Sequence, residues 1–155
     1  MTLLAQIAAA MRTALNDPAR PAGIPTTSYW TGISLEADQL PFRWLAWLGE
    51  NTERVPHATS PLVRRRARFI VQDLLAGTGS AGQTPQEVGE AFRAWSVRAL
   101  VANRYLDVDG KPLAIDTIEM QTEWDLDQGE EPFMRMSHHF DVTFSTRAND
   151  AELRA

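Results

Sequence analysis

From Met134 to Ser145 apolar and polar residues alternate without a break: Met134, Met136, His138, Phe140, Val142 and Phe144 against Arg135, Ser137, His139, Asp141, Thr143 and Ser145. Side chains of a strand point to opposite faces in turn, so this period of two specifies a long strand with one face buried. A lone strand cannot bury its apolar side. The chain must therefore supply neighbouring strands and a layer to cover them.

The neighbours are legible in the same way. Val63, Ala67, Phe69 and Val71 alternate with Arg64, Arg66, Arg68 and Gln72, which predicts a strand with one wet or intersubunit face. Ile118, Met120, Thr122 and Trp124 face opposite Glu119, Gln121 and Glu123 in a strand expected to begin near Leu113. The acidic turn Asp125 to Glu131 is too short for a parallel crossover, so this strand and the Met134 strand are expected as an antiparallel hairpin. The aromatic stretch Tyr29 to Leu48, broken by Pro41, predicts one or two further strands. Gly49 to Pro61 is polar and reads as a long exposed loop, and Arg147 to Ala155 as a polar tail outside the core.

Two helices provide the cover. Leu4, Ile7, Ala8, Met11 and Leu15 mark one face of a helix over about Thr2 to Leu15, and Pro18, Pro21, Gly23 and Pro25 then impose an irregular connector. Thr84-Pro85-Gln86-Glu87 is a capping box with proline at the first helical position. The helix it opens should run to about Ala102, with Val88, Ala91, Phe92, Trp95, Ala99 and Ala102 inward. The expected fold is α+β: two main helices on one face of a mainly antiparallel sheet of about four strands, in a single domain over 1–146.

Composition narrows the chemistry. The chain has 155 residues, enough for one core, and no cysteine, which excludes disulfides, thiolate metal sites and cysteine nucleophiles. Neither a signal peptide nor a run of about 18 apolar residues is present in the sequence, so a cytoplasmic protein that does not enter membranes is expected. Net charge is -5 but unevenly spread: Asp107 to Glu131 carries nine acidic residues against Lys111 alone, leaving the remainder net positive.

No constellation points to catalysis, metal or cofactor. His138 and His139 are adjacent on a strand and point apart, and His57 lies in a separate loop. Asp125-Leu126-Asp127-Gln128-Gly129 departs from a calcium loop at Gly129 and at Met136. Gly77 to Gly82 lacks both the dinucleotide spacing and the P-loop lysine. Asp107-Val108-Asp109-Gly110 is a turn. The strongest electrostatic feature is the row Arg64, Arg66 and Arg68, about 7 Å between successive members on one strand face, which repels itself unless acids or phosphates oppose it. With no aromatic residues interleaved in the row and an acidic chain overall, sequence-specific nucleic-acid binding is disfavoured. A small-ligand binder or enzyme would have to use Trp44, Trp47, Trp95, Trp124 and His138; the tryptophans read instead as core packing and His138 as a hydrogen-bonded core or rim residue.

The helix before a Pro-rich connector, the Arg-rich strand Val63 to Leu75, the helix opening Thr84-Pro85-Gln86-Glu87 and the closing hairpin Ile115 to Thr146 resemble the tail terminator (tail completion or minor tail) proteins of long-tailed bacteriophages and gene transfer agents. Head-tail connector stopper or neck proteins share the same outline. The resemblance implies a virion protein without catalysis or cofactor. It would assemble in the host cytoplasm into a hexameric ring on the head-proximal end of the tail tube, ending tube polymerisation and joining the capsid neck. Its partners would be copies of itself, the tube protein and the connector or stopper. Complementary charge then suggests an interface in which Arg64, Arg66 and Arg68 of one subunit meet Asp125, Asp127, Glu130 and Glu131 of the next, or of a tube subunit. The loops Gly49 to Pro61 and Ala76 to Gln83 are expected to face partners.

Overall fold

The structure is a computed structural model that describes residues 2–30, 40–54, 62–127, 129, 132–147 and 150–154. The elements in chain order are α1 (Leu3–Leu15), β1 (Thr27–Tyr29), β2 (Phe42–Arg54), β3 (Leu62–Ala76), α2 (Pro85–Ala102), β4 (Asp107–Val108), β5 (Lys111–Pro112), β6 (Asp116–Asp127), β7 (Phe133–Arg147) and β8 (Asp150–Arg154). The main sheet runs β1-β2-β3-β7-β6, with β8 pairing the end of β7; only β1 and β2 are parallel. β4 and β5 form a separate two-stranded hairpin. The α+β class stands, with more strands than the four expected.

β3 and β7 form the centre. They pair over fifteen positions from Leu62↔Arg147 to Ala76↔Phe133. Their inward residues, Ala67, Phe69, Val71 and Leu75 with Met134, Met136, Phe140, Val142 and Phe144, join Leu3, Ile7, Met11 and Leu15 of α1 and Phe92, Trp95, Ala99 and Leu100 of α2 in one core. Both helices are capped as the sequence specifies: the Oγ1 of Thr2 accepts from Ala5 N and that of Thr84 from Glu87 N. Trp95 donates its indole N–H to the Leu15 carbonyl, tying the two helices end to side.

Four expectations need correction. Gly49 does not begin a loop, because β2 continues to Arg54. A bulge between Trp47 and Gly49 re-sets the pairing, and Glu50 and Thr52 then accept hydrogen bonds from Arg65, so polar residues extend the strand by satisfying its neighbour. Residues 55–61 lie outside the described chain. Within the polar tail Asp150–Arg154 form β8, which pairs β7. The buried face of α2 comprises Gly89, Phe92, Trp95, Ser96, Ala99 and Leu100, while Ala91 and Ala102 are exposed. The small residues Gly89 and Ser96 let the helix sit close to the sheet, which an apolar pattern alone does not register.

In β6 a bulge between Glu119 and Gln121 inverts the alternation. Glu119 opposes inward Phe140, Thr122 opposes His138 and Trp124 opposes Met136, whereas Ile118 opposes Asp141 on the other face. Of the tryptophans expected in the core, only Trp95 is buried; Trp47 and Trp124 are 48% and 41% exposed. Among the described residues no helix is long and apolar enough to cross a membrane.

Candidate functional site: a basic sheet face and a buried ion network

The sheet has one face under the helices and one that they leave uncovered, and the arginine row lies on the uncovered one. Alternation along β3 sends Arg64, Arg66 and Arg68 away from the face carrying Ala67, Phe69 and Val71. Their opposite numbers on β7 are Ser145, Thr143 and Asp141. On β2 the register partner of Arg64 is Glu53, and among the described residues only Arg68 of the row makes an ion pair. Its Nε and Nη2 donate to the two carboxylate oxygens of Asp141 at 2.8 and 3.1 Å, a fork-to-fork pair that raises the guanidinium pKa above its ordinary value. Arg64 and Arg66 are exposed and make no ion pair among the described residues. Beside them lies a hollow of about 400 Å³ lined by Leu48, Gly49, Glu50, Asn51, Arg66, Arg68 and Asp141. Gly49 leaves its floor open, with nothing within 4 Å of where a Cβ would stand.

The acidic members sit elsewhere. Asp125 opposes Arg135, with 4.0 Å between Oδ2 and Nη1, and Asp127 opposes Phe133. Glu130 and Glu131 lie outside the described residues. Arg68 is aligned with Asp141 of β7 and Asp125 with Arg135, six residues along that strand, which is about 20 Å; Arg66 and Asp127 are ten residues apart, about 33 Å. No side chain spans that gap, so the basic row and the acidic end of β6 do not meet within one chain.

A second polar cluster lies under α2. Arg43, Asp73 and His138 are 0% exposed, on three adjacent strands. The Nε and Nη2 of Arg43 donate to Asp73 Oδ1 and Oδ2 at 2.6 and 2.9 Å, and Nη2 also donates to the Phe92 carbonyl of α2 at 3.0 Å. His138 Nε2 stands 3.1 Å from Asp73 Oδ2 and its Nδ1 3.4 Å from Thr122 Oγ1. Since the Asp73 carboxylate can only accept, Nε2 donates to it. Burial alone pushes the Asp73 carboxyl up, but attraction and hydrogen bonds from Arg43, with a lesser share from His138, hold it below its ordinary value of 3.8. The network continues outward, as Arg93 of α2 donates to Thr122 and pairs with Glu119 at 2.7 Å.

This cluster clamps α2 to four strands and is closed to any substrate in this conformation. His138, expected as a hydrogen-bonded core or rim residue, is in the core, but the sequence pattern missed Arg43 and Asp73. The signal was there: Asp73 stands in the inward register Phe69, Val71, Asp73, Leu75, where a charge needs a buried partner. His139 points to the opposite face, as adjacent strand positions require; it is buried, its ring nitrogens make no hydrogen bond, and Glu123 Oε2 lies 3.6 Å from Nε2. Among the described residues no group of three or more His, Asp or Glu is arranged to hold a metal ion.

The fold and these sites define a class, an α+β protein with two helices over a mainly antiparallel sheet and a basic uncovered face. No protein-family model and no curated protein matches the chain.

Proposed function

We propose that the chain is a structural assembly subunit. In this reading it forms a hexameric ring that caps the head-proximal end of a phage tail tube, ends polymerisation and offers the surface that joins the head; a stopper or neck role at the same junction is the closest alternative. One observation carries the proposal: among the described residues Arg64 and Arg66 make no ion pair at one end of the sheet, while Asp125 and Asp127 stand about 26 Å or more away on the other. Complementary patches that cannot close within a chain support contact between copies, and in the ring reading that contact is head-to-tail, the type that generates rings.

Because Arg68 is engaged by Asp141, the clean perturbation is Arg64→Glu with Arg66→Glu. Size-exclusion chromatography and electron microscopy, with and without isolated tail tubes, should show the native chain forming rings alone or on tube ends and the double variant forming none. Asp125→Arg with Asp127→Arg in the same background should restore them. Rings that persist unchanged in the first variant overturn the reading.

A small-ligand binder has one observation in its favour: an apolar hollow of about 510 Å³ lined by Ala5, Ala8, Tyr29, Trp30, Leu45 and Trp47, with Trp30 60% exposed. Saturable quenching of tryptophan fluorescence by a small aromatic compound, lost in Trp30→Ala, distinguishes it.

A further inference from the structure

β6 ends the sheet. It pairs β7 on one side, and among the described residues no strand pairs it on the other. The bulge between Glu119 and Gln121 distorts its first half, so the regular free edge is Gln121 to Asp127. Within it the side chains sort by face. Trp124 and Leu126 oppose the inward Met136 and Met134, while Glu123, Asp125 and Asp127 oppose Ser137, Arg135 and Phe133 on the uncovered face. Trp124 and Leu126 are 41% and 45% exposed, and the side chains of Glu123 and Asp125 are 63% and 78% exposed. Arg135 approaches Asp125 no closer than 4.0 Å and Gln121 donates to Glu123, so the row remains largely unneutralised.

An exposed strand edge invites another strand, and the side chains decide which. A second copy of β6 is excluded by charge: edge-to-edge pairing would set carboxylates opposite carboxylates, and β6 holds no basic residue. The basic strand of this chain, β3, cannot be donated because β2 and β7 flank it on both sides. We propose that the Gln121–Asp127 edge captures an extended segment of a different protein that carries Lys or Arg at every second position and apolar residues between. The basic side chains lie over Glu123, Asp125 and Asp127, and the apolar ones beside Trp124 and Leu126. This surface is separate from the arginine row but shares Asp125 and Asp127 with the acidic patch of the ring reading, so at any one edge capture and that ring contact exclude each other.

The probe is a blocked heptapeptide of alternating Lys and Val, starting and ending with Lys. Titration followed by tryptophan fluorescence and by amide hydrogen exchange should give saturable binding with new protection confined to Gln121–Asp127. The same peptide with Glu for Lys should not bind. Two N-methylated versions, one blocking the Lys amides and one the Val amides, separate strand addition from charge attraction: one series faces β6 and should weaken binding about tenfold or more, the other should not. Glu123→Lys with Asp125→Lys should abolish capture, whereas Arg64→Glu with Arg66→Glu should leave it intact even where rings are lost. Equal binding by both N-methylated peptides, protection elsewhere, or self-association of the chain through β6 overturns the proposal.

Discussion

Asp73→Asn tests whether the ion network under α2 organises the fold. The substitution keeps shape and removes one charge, leaving Arg43 at 0% exposure with no counter-charge and only neutral acceptors, the new amide oxygen and the Phe92 carbonyl, and with Nη1 already lacking a partner. Breaking a buried pair from one side costs about 3–5 kcal/mol, because the other charge stays dehydrated and uncompensated. For a chain of this size that corresponds to a fall in Tm of about 6–20 °C. Removing both charges, as Arg43→Met with Asp73→Leu, should be milder. The pair itself is near neutral against an apolar replacement, and the residual cost is the bond lost by His138, about 1–3 kcal/mol. Urea unfolding at pH 7, followed by circular dichroism and tryptophan fluorescence, measures both. The native pair should also impose a pH dependence. Asp73 has a native pKa below 3.8, so its contribution is fully present above about pH 3.8 and is lost as pH falls through the lowered native value; Asp73→Asn lacks that loss. A single variant within about 0.5 kcal/mol of the native chain, or a double variant no more stable than the single, refutes the reasoning.

The Arg68–Asp141 pair has the same forked geometry, yet the Arg68 side chain is 37% exposed, so solvent screens it; Asp141→Asn should cost only about 0.2–1 kcal/mol in urea unfolding, and less at high salt. At Gly89 an added Cβ would stand 2.8 Å from the Trp124 ring and 3.0 Å from Met136 Sδ. Gly89→Ala should therefore destabilise by about 1 kcal/mol, the overpacking outweighing the gain in helix propensity, and in a Trp124→Leu background the same change should stabilise by about 0.5–1 kcal/mol. A thermal-melt cycle of the four variants checks the change of sign.

What the sequence disclosed and what it concealed divide along a physical line. Strict period-two alternation places Val63 to Val71 and Met134 to Phe144 correctly, because on the two central strands burial follows the pleat. The capping box at Thr84 placed the start of α2, a local hydrogen bond needing no tertiary information. The bulges at Trp47/Gly49 and Glu119/Gln121 were invisible, since an extra residue leaves composition unchanged while turning every later side chain over. The extension of β2 through Glu50 and Thr52 was concealed for another reason: its partner is Arg65, one strand away in space and fifteen and thirteen residues away in sequence. The candidate interface was half legible. The arginine row could be read from β3 alone, but that Asp141 claims Arg68 and spares Arg64 and Arg66 depends on the β3/β7 register.

That register also bears on symmetry. A two-fold contact centred on one patch is disfavoured, because Arg64 and Arg66 would face their own copies, as would Glu123, Asp125 and Asp127; a two-fold contact spanning both patches would instead set basic on acidic twice. Both patches are carried on strands paired to β7, so their separation of about 20 Å or more is fixed by a rigid element and not by a loop. Where contacts between copies through these charges are head-to-tail, as the ring reading requires, whether they close depends on the rotation that the rigid spacing imposes from one copy to the next. A tube end that presents six equivalent sites would supply that rotation, so on the ring reading the chain can remain monomeric in solution until a template sets the angle.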